Sequence, residues 1–296
     1  MIKTKTQASN DSIKEVHRLY VSQHQSQPQV DTVIVEEPLT LWLHQEDHNN
    51  EQEQYWFSTM RTPGQDEALI TGLLLSERII HSSNQILSIH HEANNPHSAI
   101  VELSPDVHID DLQTQRQTSH SSCGLCGKSL ISLLEMRGFT AVESTSAWLT
   151  HALVVSLPDK LRQRQNLFDI TGASHSCALF DQLGDCLAIA EDAGRHNALD
   201  KLIGMCTKLN RPDMSQSIAL LSGRVSVEMM QKVIAAQIPV VIAVGAPTQL
   251  AVQMAQRFNI TLIGFCKKQT FNLYSGAQRL IHEQTNPPRE NSRRDH

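Results

Sequence analysis

Two cysteines three positions apart, Cys123 and Cys126 in the run Ser121-Ser122-Cys123-Gly124-Leu125-Cys126-Gly127, are the residues of this sequence best suited to covalent chemistry. Glycines beside them let the backbone bend without the steric penalty of a Cβ, so the two sulfurs can meet. The useful species is a thiolate, and a free thiol with a pKa of about 8.5 must be pushed down to supply it at neutral pH. The pattern predicts a helix just beyond Cys126, and its N-terminus together with Lys128 favours negative charge there. Three rival chemistries use the same pair. A structural zinc site would need a second Cys-x-x-Cys or a His-x-x-x-His at finger spacing, and none follows. A zinc deaminase would pair H-x-E with P-C-x-x-C. His90-His91-Glu92 does precede the cysteines, but Ser122 stands where the proline belongs and His90 falls in a strand-to-loop stretch. A thioredoxin-like dithiol would follow a clear strand of a βαβ unit, which is missing here. The remaining thiols read differently: Cys177 and Cys186 fall on apolar strand patterns and Cys206 on a helical one, where free cysteine packs as a small hydrophobe. Cys266 ends a strand beside possible ligand space.

A second group of residues recurs at predicted strand ends: Gly172 and His175, Arg195 and His196, Ser222-Gly223-Arg224, and the run Phe265-Cys266-Lys267-Lys268-Gln269-Thr270. In an open α/β sheet such segments line one crevice, and basic side chains with free amides there make a local anion site, suited to a phosphorylated ligand. Each residue also has a plain structural alternative. Arg195 could pair with Asp192 or Asp200, His196 could be a satisfied interior histidine, and Gly223 could be a turn glycine.

These residues need a scaffold, and the sequence outlines one. The stretch 31–43 and 98–103 read as strands, and 66–80 as a helix with Leu69, Leu73 and Ile80 on one face. The polar stretch about 104–127 reads as a mobile connection into the cysteines, and 128–137 as a helix capped by Gly138. Further on, 153–157 reads as a strand, 177–190 as a hairpin turning at 182–185, and a helix starts at Asn197. Strands at 218–221, 240–244 and 260–265 alternate with helices at 225–236 and 248–258, which predicts an α/β fold with a mixed, mostly parallel sheet. A smaller β-containing region precedes it. The serine- and glutamine-rich leader 1–29 and the tail 284–296 lack apolar periodicity and are expected to be disordered, flanking a folded unit at 30–283.

Composition removes several classes of function. A net charge of -6 argues against the broad basic surface that nucleic acid or an anionic membrane selects. No stretch approaches the ~20 apolar residues of a membrane span, and the opening residues hold no signal-peptide core, so a cytoplasmic location is expected. Six cysteines in 296 residues are too few for a secreted disulfide framework.

Taken together, Ser-Cys-Gly-Leu-Cys-Gly at 122–127, Thr171-Gly172 with His175, Glu-Asp-Ala-Gly-Arg-His-Asn-Ala-Leu-Asp-Lys at 191–201, Ser-Gly-Arg-Val-Ser at 222–226 and Phe271-Asn272-Leu273-Tyr274 resemble the formate dehydrogenase accessory sulfurtransferases, the FdhD family. The resemblance covers roughly 31–277. It implies a sulfurtransferase with a persulfide on Cys123, assisted by Cys126, that takes sulfur from a cysteine desulfurase and hands it to the molybdenum cofactor of formate dehydrogenase. It further implies a cytidine-deaminase-like layered fold, usually a homodimer. The acceptor would be the bis(molybdopterin guanine dinucleotide) form, contacted by 265–270, with no permanent metal in the protein. In that stretch the family often carries Gly or Arg where Lys267, Lys268 and Gln269 stand. The runner-up is a cofactor chaperone without sulfur chemistry, and a zinc-dependent deaminase-like hydrolase comes third.

Overall fold

A computed structural model describes residues 10–45, 53–92, 94–107, 127–143, 146–207 and 216–281. Of the expected connection 104–127, residues 108–126 with both cysteines lie outside the described residues, as does the tail 284–296. The chain opens with an antiparallel ribbon, β1 (Ile13–Val21) and β2 (Ser26–Ile34), paired from Ile13↔Ile34 to Val21↔Ser26. Over residues 10–29 this corrects the expectation of a disordered leader 1–29, while residues 1–9 lie outside the described residues. The ribbon forms through its backbone pairing, which a polar composition does not reveal.

The N-terminal sheet has the order β4-β3-β6-β5, built from β3 (Glu37–Gln45), β4 (Gln54–Arg61), β5 (Ile86–Glu92) and β6 (Asn95–Leu103). Leu39, Leu41, Leu43, Ala99, Val101 and Leu103 alternate along two of its strands, and all are buried against helix α1 (Asp66–Ser76). That helix is apolar on nearly every side, as a helix enclosed between two layers must be.

The C-terminal sheet has six strands in the order β12-β11-β10-β9-β7-β8. They are β7 (His175–Phe180), β8 (Cys186–Asp192), β9 (Ile218–Leu221), β10 (Val240–Ala243), β11 (Thr261–Gly264) and β12 (Asn272–Ser275). Only the pairings β9–β10 and β10–β11 are parallel, while β7–β8, β7–β9 and β11–β12 are antiparallel. The sheet is therefore mixed but not mostly parallel. The hairpin β7–β8 joins the parallel group through an antiparallel seam that the β/α alternation of the last third does not predict.

Helices α5 (Arg195–Thr207), α6 (Val227–Ala235) and α7 (Gln249–Arg257) cover one face of this sheet, with Leu134 of α2 (Gly127–Met136) in the same core. The other face packs on α3 (His151–Arg162) through Val154, Leu157 and Leu161. The segment 153–157, expected to be a strand, lies inside this helix, where Val154, Leu157 and Leu161 recur at helical spacing. The Thr150 hydroxyl accepts from the Leu153 amide at 3.1 Å and starts the helix, which runs through Pro158. A short helix, α4 (Asn166–Thr171), follows and ends at Gly172 with φ of 67°. Gly138 likewise takes a positive φ, 79°, just after α2.

Candidate functional site

The strand directions gather the starts of β7 and β12 and the ends of β8, β9, β10 and β11 at one end of the six-stranded sheet. Successive hydrogen bonds join the segments there. The Gly245 amide donates to Gly223 O at 3.3 Å, and the Phe265 amide donates to Gly245 O at 3.0 Å. Gly245 is required by this closeness: a Cβ there would stand 2.7 Å from Gly223 O. A Cβ on Gly223 would meet His175 Nδ1 at 3.4 Å and Arg195 Cδ at 4.0 Å. Thus His175, Arg195 and Gly223 meet, although 48 residues of sequence separate the first from the last.

The run from Asp192 to Lys201 divides by role. Asp192 is fully buried and receives Lys201 Nζ at 2.7 Å, the Thr62 amide at 3.1 Å and the Gly194 amide at 2.9 Å. Lys201 also donates to Thr62 O at 2.8 Å. Asn197 donates to Met60 O and accepts from the Thr59 hydroxyl. These side chains therefore fasten α5 to the N-terminal sheet. Asp200, on the same helix, is held by Lys232 at 2.8 Å and by the Ser76 hydroxyl at 2.8 Å. With both carboxylates occupied, Arg195 joins no ion pair among the described residues. Its Nε and the Nε2 of His196 are buried atoms without a hydrogen-bond partner.

The local electrostatics follow from this crowding. Burial, then the charges of Arg195 and Lys232, push His196 down to about 4, with Glu228 opposing them. His175 is also pushed down, first by burial and then by Arg195, against Asp192. Both imidazoles are thereby held neutral. For Glu228 burial acts upward, but the Ser226 hydroxyl, its own amide, His196 and Arg195 bring its carboxyl below the usual range. Glu228 lies in the first turn of α6, two residues past the Ser-Gly-Arg-Val-Ser run, and its acidic character beside that motif was the available sequence signal.

The other expected residues take varied positions. Arg224 is exposed on the connection between β9 and α6. Ser222 is used internally, exchanging hydrogen bonds with the Ser176 backbone. Gly172 is the exposed cap of α4, with open space around it. Phe265 is 43% exposed and has a φ of 52°, an uncommon conformation for an aromatic residue. Lys267 to Thr270 form an exposed turn closed by a 2.9 Å bond from the Lys267 amide to Thr270 O. Cys266 departs from expectation: its side chain is buried, it donates to Val154 O, and burial pushes its thiol up to about 11. Only its backbone is available to a ligand.

Burial also raises the other described thiols. Cys206 is pushed up to about 12, and Cys177 and Cys186 are raised as well. Cys123 and Cys126 lie outside the described residues. The helix that follows them in sequence, α2, is anchored at its C-terminal end, where Arg257 meets Glu135 and Arg137 donates to Glu77 O at 2.7 Å. The described residues contain no cluster of three or more His, Cys, Asp or Glu arranged to hold a metal. An open crevice of about 840 Å³ does lie elsewhere, between the ribbon and the N-terminal sheet, lined by Lys14, Glu37, Arg61, Asp66, His91 and His97 among others. It contains none of the expected site residues.

Residues 34–281 match the model of the FdhD/NarQ family, and the chain belongs to that family. It is 37% identical over 267 residues to the sulfur carrier protein FdhD of Streptomyces coelicolor, covering 84% of this chain and 89% of that one. Its identity to the sulfur carrier protein FdhD of Picrophilus torridus is 38% over 252 residues, covering 85% and 92%. The fold is similar to a crystal structure from Desulfotalea psychrophila described as a formate dehydrogenase accessory protein. That likeness has a TM-score of 0.69 at 20% identity and spans 91% of this chain and 99% of the other.

Proposed function

We propose that this chain is a cytoplasmic sulfur carrier serving formate dehydrogenase, with Cys123 bearing a persulfide received from a cysteine desulfurase. The observation that carries the reading is the state of the other thiols. Burial raises all four described cysteines out of the thiolate range, which leaves the Cys-x-x-Cys pair for thiolate chemistry. The curated relatives named above as sulfur carriers support it.

In the first step the Cys123 thiolate attacks the terminal sulfur of the donor persulfide, forming a new S–S bond and releasing the donor thiolate. In the second, Cys126 attacks Cys123 Sγ. The Cys123–Cys126 bond forms, and the bond to the terminal sulfur breaks. That sulfur leaves as hydrosulfide carrying the proton of the Cys126 thiol. It is reduced by two electrons as the two cysteines are oxidised to a disulfide.

The acceptor substrate is the molybdenum cofactor in its bis(molybdopterin guanine dinucleotide) form, bound at the strand ends. Exposed Phe265 offers a face on which a heteroaromatic ring can stack, and Arg224, Lys267 and Lys268 offer cations for its phosphates. Gly172, His175, Ser222 and Gly223 complete the wall, with Gln269 and Thr270 at the rim. The protein acts as a homodimer, and helices on both faces of its mixed sheet suit a cytidine-deaminase-like layering. No helix of the described residues is long and apolar enough to cross a membrane.

Intact mass after incubation with a cysteine desulfurase and cysteine tests the carrier. A reductant-labile gain of sulfur in wild type, absent from a folded Cys123→Ala variant, is expected. No gain in wild type beside an active desulfurase would leave a cofactor chaperone without sulfur chemistry.

A further inference from the structure

Three segments meet beside Gly223: the start of β7 with His175, the start of α5 with Arg195 and His196, and the connection into α6 that leads to Glu228. A buried polar group without a partner is costly, so two of them on consecutive residues at the start of α5 call for an occupant. Here the two are Arg195 Nε and, in the tautomer that carries its proton on Nε2, His196 Nε2. Neither is relieved among the described residues, where Asp192 and Asp200 are taken by Lys201 and Lys232.

The charges nearby restrict what that occupant is. Arg195 contributes one cation, and Glu228 opposes it with a carboxylate held in its ionised form. Lys232 is matched by Asp200, and the two imidazoles are neutral. The balance does not suit a phosphate dianion, which would face the Glu228 carboxylate with two partly buried donors in place of several exposed ones. It suits a small monoanion that tolerates desolvation. The exposed Arg224, Lys267 and Lys268 are the better phosphate ligands, because their charges are open to solvent and join no ion pair among the described residues. Reduced sulfur is such a monoanion: large, polarisable and only weakly held by water.

We propose that Arg195 Nε and His196 Nε2 form a receiving site for one reduced sulfur, a hydrosulfide ion, between its release by a carrier cysteine and its capture by the acceptor. The assignment rests on the sulfur-carrier reading for its ligand and on the unpartnered donors for its place. Arg195 and His196 thereby separate from the phosphate-binding residues with which their position on the sheet groups them.

Iodide serves as a stable soft monoanion in place of hydrosulfide, and its anomalous scattering locates it in crystals of the full chain. The expected result is an iodide within about 3.5 Å of both nitrogens, the usual outer limit for such contacts to a large anion. It persists in His196→Gln, which keeps a donor, and disappears from His196→Leu and Arg195→Lys. Inorganic phosphate at the same concentration is expected near Arg224 and Lys267 instead. Phosphate taking the Arg195–His196 position, or iodide absent from it in crystals of wild type, would overturn the assignment.

A second measurement separates this from failure of the carrier itself. His196→Leu is expected to gain persulfide mass as wild type does while delivering sulfur at least tenfold more slowly, with His196→Gln restoring most of the rate. Equal delivery by folded wild type and His196→Leu would refute the receiving site while leaving the carrier intact. Loss of the mass gain in wild type would instead refute the carrier reading.

Discussion

His196 is a neutral imidazole in the folded chain, and this has a measurable pH signature. Its pKa lies near 4 when folded, against 6.5 for the free group. The unfolded chain therefore binds a proton between these values while the folded chain does not, so stability is complete above about pH 6.5 and falls as the pH drops toward 4. His175 shifts in the same direction and adds to the slope. Thermal melts between pH 7 and 4 are expected to show a shallower loss for His196→Gln than for wild type, and parallel curves would refute the assignment. Phe265 gives a second prediction at this scale. Its φ of 52° costs roughly 1–2 kcal/mol for a residue with a Cβ, so Phe265→Gly relieves strain even as it removes the ring. Stability should change by no more than about 1 kcal/mol, the usual scale of a glycine substitution. Affinity for a guanine nucleotide, taken as a fragment of the cofactor, should weaken by about 1–3 kcal/mol, the scale of a lost base–aromatic stack. Calorimetric titration beside denaturant melts reads both effects, and unchanged affinity would remove the stacking role.

At the scale of elements, α1 and α5 cross with almost no space between their backbones. A Cβ on Gly204 would stand 1.9 Å from Ala68 O, and one on Gly72 would stand 1.8 Å from Asp200 O. Gly204→Ala must therefore push the two helices apart, at a cost of about 1–3 kcal/mol or somewhat more. Urea denaturation is expected to show a lower midpoint with little change in slope; a midpoint equal to wild type would mean that the two helices separate without cost. Neither glycine stands out in the sequence, because each looks like a weakness within a helix and its use depends on a neighbour far along the chain. The same difficulty explains the other misreadings. In α3, the apolar run 153–157 reads as a strand, yet Val154, Leu157 and Leu161 share a helical face that only the sheet beneath makes decisive. The ribbon 13–34 was hidden because its stability lies in cross-strand bonds. By contrast, β9, β10, β11, α6 and α7 were legible, since each has an apolar pattern fixed by burial on a single period. The convergence of His175, Arg195 and Gly223 was legible too, as residues placed just before or after strands of one sheet. Glu228 and the partners of Asp192 and Asp200 were not, since such pairings depend on tertiary contact.

Across the whole molecule, two buried ion pairs join the N-terminal layer to the C-terminal one and thereby hold the site's elements in place. Asp192 and Lys201 meet the Thr62 backbone, while Asp200, Lys232 and Ser76 connect α5, α6 and α1. Burial acts to strip the Lys232 proton, but Asp200 and Glu77 hold its pKa above the usual lysine range. Removing one member of such a pair strands the other charge out of water, at a cost of about 3–5 kcal/mol, whereas replacing both with neutral groups of similar volume can be nearly neutral. Lys232→Met should therefore be strongly destabilised, and Asp200→Asn with Lys232→Met should recover most of that loss. The pair also ties the middle of α5 to the last turn of α6, helices whose starts carry site residues, so the double variant should fold yet bind the cofactor fragment more weakly. Denaturant melts and titration on the three proteins measure this directly. A double variant as unstable as Lys232→Met would show that the pair's net attraction, rather than the stranded carboxylate, accounts for the loss. A stable double variant with wild-type affinity would show that the ion pair stabilises the layers without positioning the site.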